Sequence, residues 1–273
     1  MTLPFLSGRW GRGGSLAFGP AGSVAAAATE QDVLDLNPLW WLDPDDAYCF
    51  TGAGSGAVSE GSSVYQWSDK SGNSVNHLES NASYRPVWRA SGTNGMPYVD
   101  YTDTYHRLWA DNPGAHSTPM TIYMVIAAVT SVQQGGKHIG GATASITSSH
   151  TTAGTGFDNA IATTFSNDNN VTWGEQVPTV QSLTTQIIQI EGHGTALPDL
   201  RINGGAAYTR ATTASAAEDD WTAASGTNMF WGVWNGATFV SYDYLAIGDV
   251  THDADTVFSH LGDKYGITVT AVS

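Results

Sequence analysis

Apolar residues along this chain gather in short runs rather than in long helical stripes. The longest is Thr121–Val129, Thr-Ile-Tyr-Met-Val-Ile-Ala-Ala-Val. It is rich in β-branched and aromatic side chains and too short to cross a bilayer. That combination predicts a central strand covered on both faces. Gln186–Glu191 and Phe239–Ile247 predict further strands of the same core. Helical signals sit only near the ends. Thr29-Glu30-Gln31-Asp32 reads as the capped start of a short helix running toward Leu36 and stopped before Pro38. Close to the carboxy terminus, Asp253 suits the first turn of a helix, Lys264 its last turn, and Gly266 the left-handed residue that ends it.

Residues 1–28 break the pattern. Phe5, Trp10 and Phe18 stand isolated among Gly8, Gly11, Gly13, Gly14, Arg9 and Arg12, and Ala-rich sequence follows. A secretory signal needs an unbroken apolar core after its basic residues, and Arg9–Ser15 interrupts one. Such a segment buries little by itself. It is either a tail without a fold or an arm that orders on a partner subunit, with its aromatics as anchors. The expected division is residues 1–38 as an amino-terminal attachment arm with its short helix, and 39–273 as the domain.

Composition sharpens this picture in three ways. Hydrophobic residues at 41% can fill a sizeable core, while 31 glycines and only 13% charged residues suit short strands joined by many turns. The net charge of −15, with 10 Lys+Arg, repels a phosphate backbone or an anionic membrane, so neither nucleic acid nor membrane is an expected partner. The same excess of carboxylate reads either as solubility or as Asp clusters that hold divalent cations. Cys49 is the single cysteine, which excludes an internal disulfide and reads as a small buried hydrophobe.

From Leu39 onward the order of motifs carries a resemblance. Trp40-Trp41-Leu42-Asp43-Pro44-Asp45-Asp46-Ala47 is followed by Trp67-Ser68-Asp69-Lys70-Ser71-Gly72-Asn73, then Arg85-Pro86, then Asn94-Gly95-Met96-Pro97-Tyr98-Val99-Asp100-Tyr101. Asp253-Ala254-Asp255 and His260–Ile267 close the series, and Leu200–Gly205 is expected to turn a hairpin at Asn203-Gly204. Over residues 39–267 this resembles the LamG-like, concanavalin A-like jelly-roll domains of bacteriophage virion proteins and some bacterial surface proteins. The resemblance implies an all-β concanavalin A-like jelly-roll sandwich of two antiparallel sheets, with an extended amino-terminal arm and a short carboxy-terminal helix. Physics accounts for the motifs without a ligand. Asp69, Ser71, Gly72 and Asn73 make a polar turn, and Trp41 and Trp67 alternate with polar neighbours as core-facing residues do.

Candidate chemistry is sparse. Glycosidases of this superfamily pair two carboxylates on one strand face, whereas Glu occurs here only at 30, 60, 79, 175, 191 and 218. Asp243, on the Phe239–Ile247 strand, is the one acidic candidate, without a legible partner. There is no nucleophile elbow, and Gly52-Ala53-Gly54-Ser55-Gly56 reads as flexible connection. The eight His are scattered, with no H-x-x-x-H pair. Hard oxygen donors for Ca²⁺ cluster at Asp43, Asp45 and Asp46, at Asp100 and Asp103, and at Asp168 with Asn167, Asn169 and Asn170. None has calcium-loop spacing, and the last group also reads as a polar hairpin tip.

Sugar binding is the other activity the resemblance implies. A sugar has an apolar face and a polar rim, so its site joins an aromatic platform to Asp or Asn. Trp109 with Asp111 and Asn112, Trp173, and Trp221 after Glu218-Asp219-Asp220 are the candidates, each weighed against a packed edge residue. The expected role is a virion structural protein, a head or tail decoration or fibre without enzymatic activity. It assembles in the host cytoplasm in multiple copies. Phe5, Arg9, Trp10, Arg12 and Phe18 would attach it to capsid, neck or tail subunits, and the jelly roll would meet a host-surface glycan. The alternative is a carbohydrate-binding lectin or adhesin of a bacterial surface.

Overall fold

A computed structural model describes residues 27–101, 103, 105–110, 120–128, 136–140, 144–151, 158–165, 169–173, 184–191, 199–208, 230–232, 239–248 and 251–273, with backbone alone for 128, 136–140, 144–151, 158–165, 169–173, 230–232 and 239. The chain opens with helix α1 (Glu30–Leu34) and strand β1 (Trp40–Leu42). Short strands follow: β2 (Cys49–Gly52), β3 (Ser55–Ala57), β4 (Gln66–Trp67), β5 (His77–Leu78), β6 (Val87–Arg89), β7 (Tyr98–Tyr101) and β8 (Arg107–Ala110). The long strand β9 (Thr121–Ala128) precedes β10 (Gly136–Gly140), β11 (Ala144–Thr151), β12 (Asp158–Phe165) and β13 (Asn169–Trp173). The remainder is β14 (Gln186–Glu191), β15 (Asp199–Ile202), β16 (Phe230–Gly232), β17 (Phe239–Ile247) and helix α2 (Ala254–Tyr265).

The described strands form two antiparallel sheets. One runs β15-β14-β9-β17-β7-β6, with β1 also paired to β17. The other runs β13-β12-β11-β10-β16-β8-β5-β4-β2-β3. The fold is an all-β sandwich with a short carboxy-terminal helix laid over one sheet. Strand β9 is continuously apolar because it is covered on both sides: Ile122, Met124 and Ile126 face the other sheet, while Tyr123 and Val125 lie in the layer under the helices. In β14, Ile188 and Ile190 join the inter-sheet core, and Ile187 joins the helix layer.

Strand β17 contains a register shift between Ser241 and Tyr244. Before it β17 pairs with β7, after it with β1. The extra residue breaks the in–out alternation, so Tyr242 and Asp243 both reach the helix side while Tyr244 returns to the inter-sheet core. On that side α1 and α2 pack together. Thr29 and Asp32 make the capping box of α1, and Asp253 caps α2, which ends on Gly266 at φ 63 as expected.

Residues 27–38 are seated on the sandwich: Val33 is fully buried, and Ala28 donates to Ser259 Oγ at 3.3 Å. Two local expectations are corrected. Gly52–Gly56 is a tight hairpin, with Gly52 opposite Ser55 and Gly54 at φ 61. The chain does reverse after β15, since Tyr208 N–H donates to the Leu200 carbonyl at 2.9 Å, but Asn203-Gly204 is not a two-residue hairpin turn. It pairs with the carboxy-terminal tail, where a Cβ on Gly204 would collide with the Thr270 carbonyl oxygen.

Candidate functional site

The site is built on β8. Its four residues alternate, with Leu108 and Ala110 packed in the inter-sheet core and Arg107 and Trp109 half-buried on the opposite, outer face. Trp109 lies opposite Leu78 of β5 and Phe230 of β16 in the strand register. A 3-10 turn at Ala82–Tyr84, capped by Asn81, brings Tyr84 over the same face. The Arg107 guanidinium lies 4.4 Å from the centre of the Tyr84 ring and 5.3 Å from that of Trp109. Tyr84 in turn meets Tyr105 at 6.1 Å, and Tyr105 is 49% exposed, the large apolar side chain most open to solvent among the described residues. Four flat groups thus lie side by side in one strip, Tyr105–Tyr84–Arg107–Trp109, with the two tyrosine rings tilted by 59° to each other.

Glu79 fixes the strip from below. One of its carboxylate oxygens accepts from Arg107 Nε at 3.2 Å and the other from the Asn81 backbone at 2.8 Å, with the side chain only 6% exposed. Arg85 is tied beside it, donating to the Glu79 and Ser80 carbonyls at 2.8 and 2.7 Å and lying over the Tyr65 ring at 4.8 Å. A surface of this kind offers ring faces for C–H groups and a rim of hydroxyls and guanidinium N–H.

The sequence candidates are spread apart. Trp109 is in the strip, while Asp111, Asn112 and Trp221 lie outside the described residues, as do Phe5, Arg9, Trp10, Arg12 and Phe18. Trp173 ends β13, at the edge of the sheet and five strand spacings from β8, roughly 24 Å away at the usual inter-strand distance. Trp109 and Trp173 therefore do not share one site. Tyr84, Tyr105, Arg107 and Glu79 were missed. For Arg107 the signal was available, since two-residue alternation puts it on Trp109's face. For the two tyrosines it was not, since loop geometry decides where they point.

Other clusters serve the scaffold. Asp243, fully buried, accepts from the Trp41 indole at 2.7 Å, Lys264 at 2.8 Å and Tyr265 OH at 2.6 Å. Lys264 also reaches Asp43 at 3.0 Å, and Lys70 bridges Asp43 at 2.7 Å and Glu30 at 2.6 Å. Burial pushes the Asp43 carboxyl up, but the Lys264 and Lys70 ammoniums outweigh it and hold it below the usual range. Two ammoniums thus occupy Asp43, one of the clusters considered as hard oxygen donors for Ca²⁺, and Asp100 is bound to Arg89 at 3.3 Å. Among the described residues no group of three His, Cys, Asp or Glu side chains could hold a metal ion. Asp168 and Asn167 lie outside those residues. Asp69 accepts from the backbone of Trp41, Ser71 and Val75, so the Trp-Ser-Asp-Lys-Ser-Gly-Asn element is a clasp on β1. A concavity of about 320 Å³ lies where β14 and β15 meet the start of α2. Its floor is polar: Arg201 bridges Glu191 at 2.7 Å and Gln189 at 3.3 Å, and Gln189 donates to Tyr123 OH at 3.0 Å.

No family model and no curated protein sequence matches this chain. Its fold is similar to the binding domain of Paraclostridial Mosquitocidal Protein 1, with TM-score 0.54 and 11% identity, over 85% of this chain and 53% of that one. It is likewise similar to the Botulinum Neurotoxin Type G receptor binding domain, with TM-score 0.52 and 11% identity, over 85% of this chain and 51% of that one. The chain spans about half the length of these structures. Both are named as binding domains, and neither is named as a LamG-like or bacteriophage protein; the likeness supports the β-sandwich and not the narrower resemblance.

Proposed function

We propose that this protein is a carbohydrate-binding β-sandwich, a lectin or adhesin module, that receives a sugar on the Tyr105–Tyr84–Arg107–Trp109 strip. The observation that carries the reading is this row of rings and guanidinium. Consecutive centres are 4.4 to 6.1 Å apart, on the outer face of a sheet, with Tyr105 49% exposed. Packing alone does not require four flat groups to line up on a solvent face. A pyranose ring lays its C–H face on such a strip, and the tyrosine hydroxyls beside it offer polar partners to the sugar's hydroxyl groups. The likeness to the fold of two binding domains is in keeping with a recognition role.

Screening the purified chain on immobilised glycans tests this reading. Saturable binding weakened at least tenfold by Tyr105→Ala supports it, and a chain that binds no glycan overturns it. Display in several copies on a bacteriophage particle, attached through Phe5, Arg9, Trp10, Arg12 and Phe18, is the setting we propose on the sequence resemblance. Particles assembled with a chain lacking residues 1–26 test it, by loss of the protein from the particle.

A further inference from the structure

We infer that the strip selects neutral oligosaccharides and discriminates against sugars carrying carboxylate or sulfate. This deepens the glycan-binding reading and rests on it. Acidic sugars are recognised through a guanidinium or ammonium with donors to spare, typically a bidentate arginine fork. The strip has one arginine, Arg107, with Arg85 beside it, and both are already engaged by the protein. Arg107 donates its Nε to Glu79, its guanidinium lies over the Tyr84 and Trp109 rings, and its side chain is only 16% exposed. Arg85 spends its Nε and Nη2 donors on two backbone carbonyls and its face on Tyr65.

The groups around the strip point the same way. His106, beside Arg107, has its ionisation lowered by burial and adds no cation near neutral pH. Asp103 is exposed two residues before Tyr105 and contributes a negative charge. Elsewhere among the described side chains, Lys70, Arg89, Arg201 and Lys264 are all ion-paired. On a chain of net charge −15, an anionic sugar would have to displace Glu79 from Arg107 or sit beside Asp103. A neutral hexose needs only ring faces and hydroxyl partners.

The test is a glycan array that prints each neutral oligosaccharide beside its sialylated and its sulfated counterpart, read with wild type, Tyr105→Ala and Glu79→Gln. In wild type, neutral members bind more tightly than their acidic partners by about threefold or more, and Tyr105→Ala abolishes the signal. Glu79→Gln removes the counter-charge but keeps the side-chain shape, so the acidic members gain about two- to fivefold, the scale of one partly screened ion pair. Tighter binding of acidic members by wild type overturns the selectivity and leaves glycan binding standing. Binding unaffected by Tyr105→Ala overturns the assignment to this strip. Absence of binding to every member overturns the glycan reading and this inference together.

Discussion

The indole N–H of Trp41 donates to the carboxylate of Asp243 across 2.7 Å, joining residues 202 positions apart at the centre of the helix-facing layer. The contact exists because a bulge in β17 turns Asp243 toward β1 where regular alternation would already have spent that face on Tyr242. Lys264 and Tyr265 of α2 meet the same carboxylate. One acidic group therefore holds a strand, a bulge and the last helix together.

Replacing Asp243 by Asn leaves Lys264 without half of its countercharge in a buried site. We expect a loss of about 3–5 kcal/mol, the usual cost of removing one partner from a buried pair. Urea denaturation midpoints measure it. Glycan binding by the folded fraction stays unchanged, because the strip lies on the other sheet. A variant of wild-type stability would show that the network is not structural.

Stability should fall as pH drops from about 6.5 to about 4. His77 is wholly buried against Tyr244, and burial lowers its ionisation from 6.5 to about 4. Between these values the unfolded chain binds the proton and the folded one does not, so acid favours unfolding. The full effect is about 3 kcal/mol at most. His106 and His260, also lowered by burial, act with the same sign. Thermal melting at pH 7 and pH 5 reads the slope, and His77→Phe flattens it.

Asp69→Ala removes a carboxylate that accepts from the Trp41 backbone at 2.8 Å, from Ser71 N and Oγ at 2.9 and 2.8 Å, and from Val75 N at 3.1 Å. Losing several bonds to one charged acceptor costs about 3 kcal/mol. Asp69→Asn recovers part of it, since one oxygen still accepts. The difference between the two variants, read from denaturation midpoints, separates the clasp from general loss of charge.

Much of this architecture could be read from the residues alone. Thr121–Val129 announced a doubly covered strand because both faces of the pleat are apolar, and the result is Ile122, Met124 and Ile126 on one side with Tyr123 and Val125 on the other. Thr29 and Gly266 cap as their chemistry directs. Bulges were not legible, since no residue type marks the extra position in Ser241–Tyr244. Gly52–Gly56 misled because glycine serves a tight hairpin as readily as a loose loop. Trp109 was legible as a candidate, but its partners Tyr84 and Tyr105 arrive through a 3-10 turn and a loop whose paths depend on Glu79 and Arg107. Side-chain contacts across 28 residues, such as Arg107 to Glu79, leave no periodic trace.

Truncation separates the scaffold from what precedes it. Removing residues 1–26 should leave the melting temperature unchanged. Removing residues 1–37 should lower stability by about 3 kcal/mol, because Val33 is fully buried and Glu30 is the second partner of Lys70. Calorimetric melting of the two truncations distinguishes these outcomes.

The central claim is that the outer-face strip binds sugar. Its most direct test is isothermal titration of a neutral oligosaccharide into wild type and into Tyr105→Ala, whose half-exposed ring can be removed without opening the core. The expected result is saturable binding in wild type and an affinity at least tenfold lower in Tyr105→Ala, with equal melting temperatures. Equal affinities in the two proteins, or no heat of binding in wild type, would contradict it.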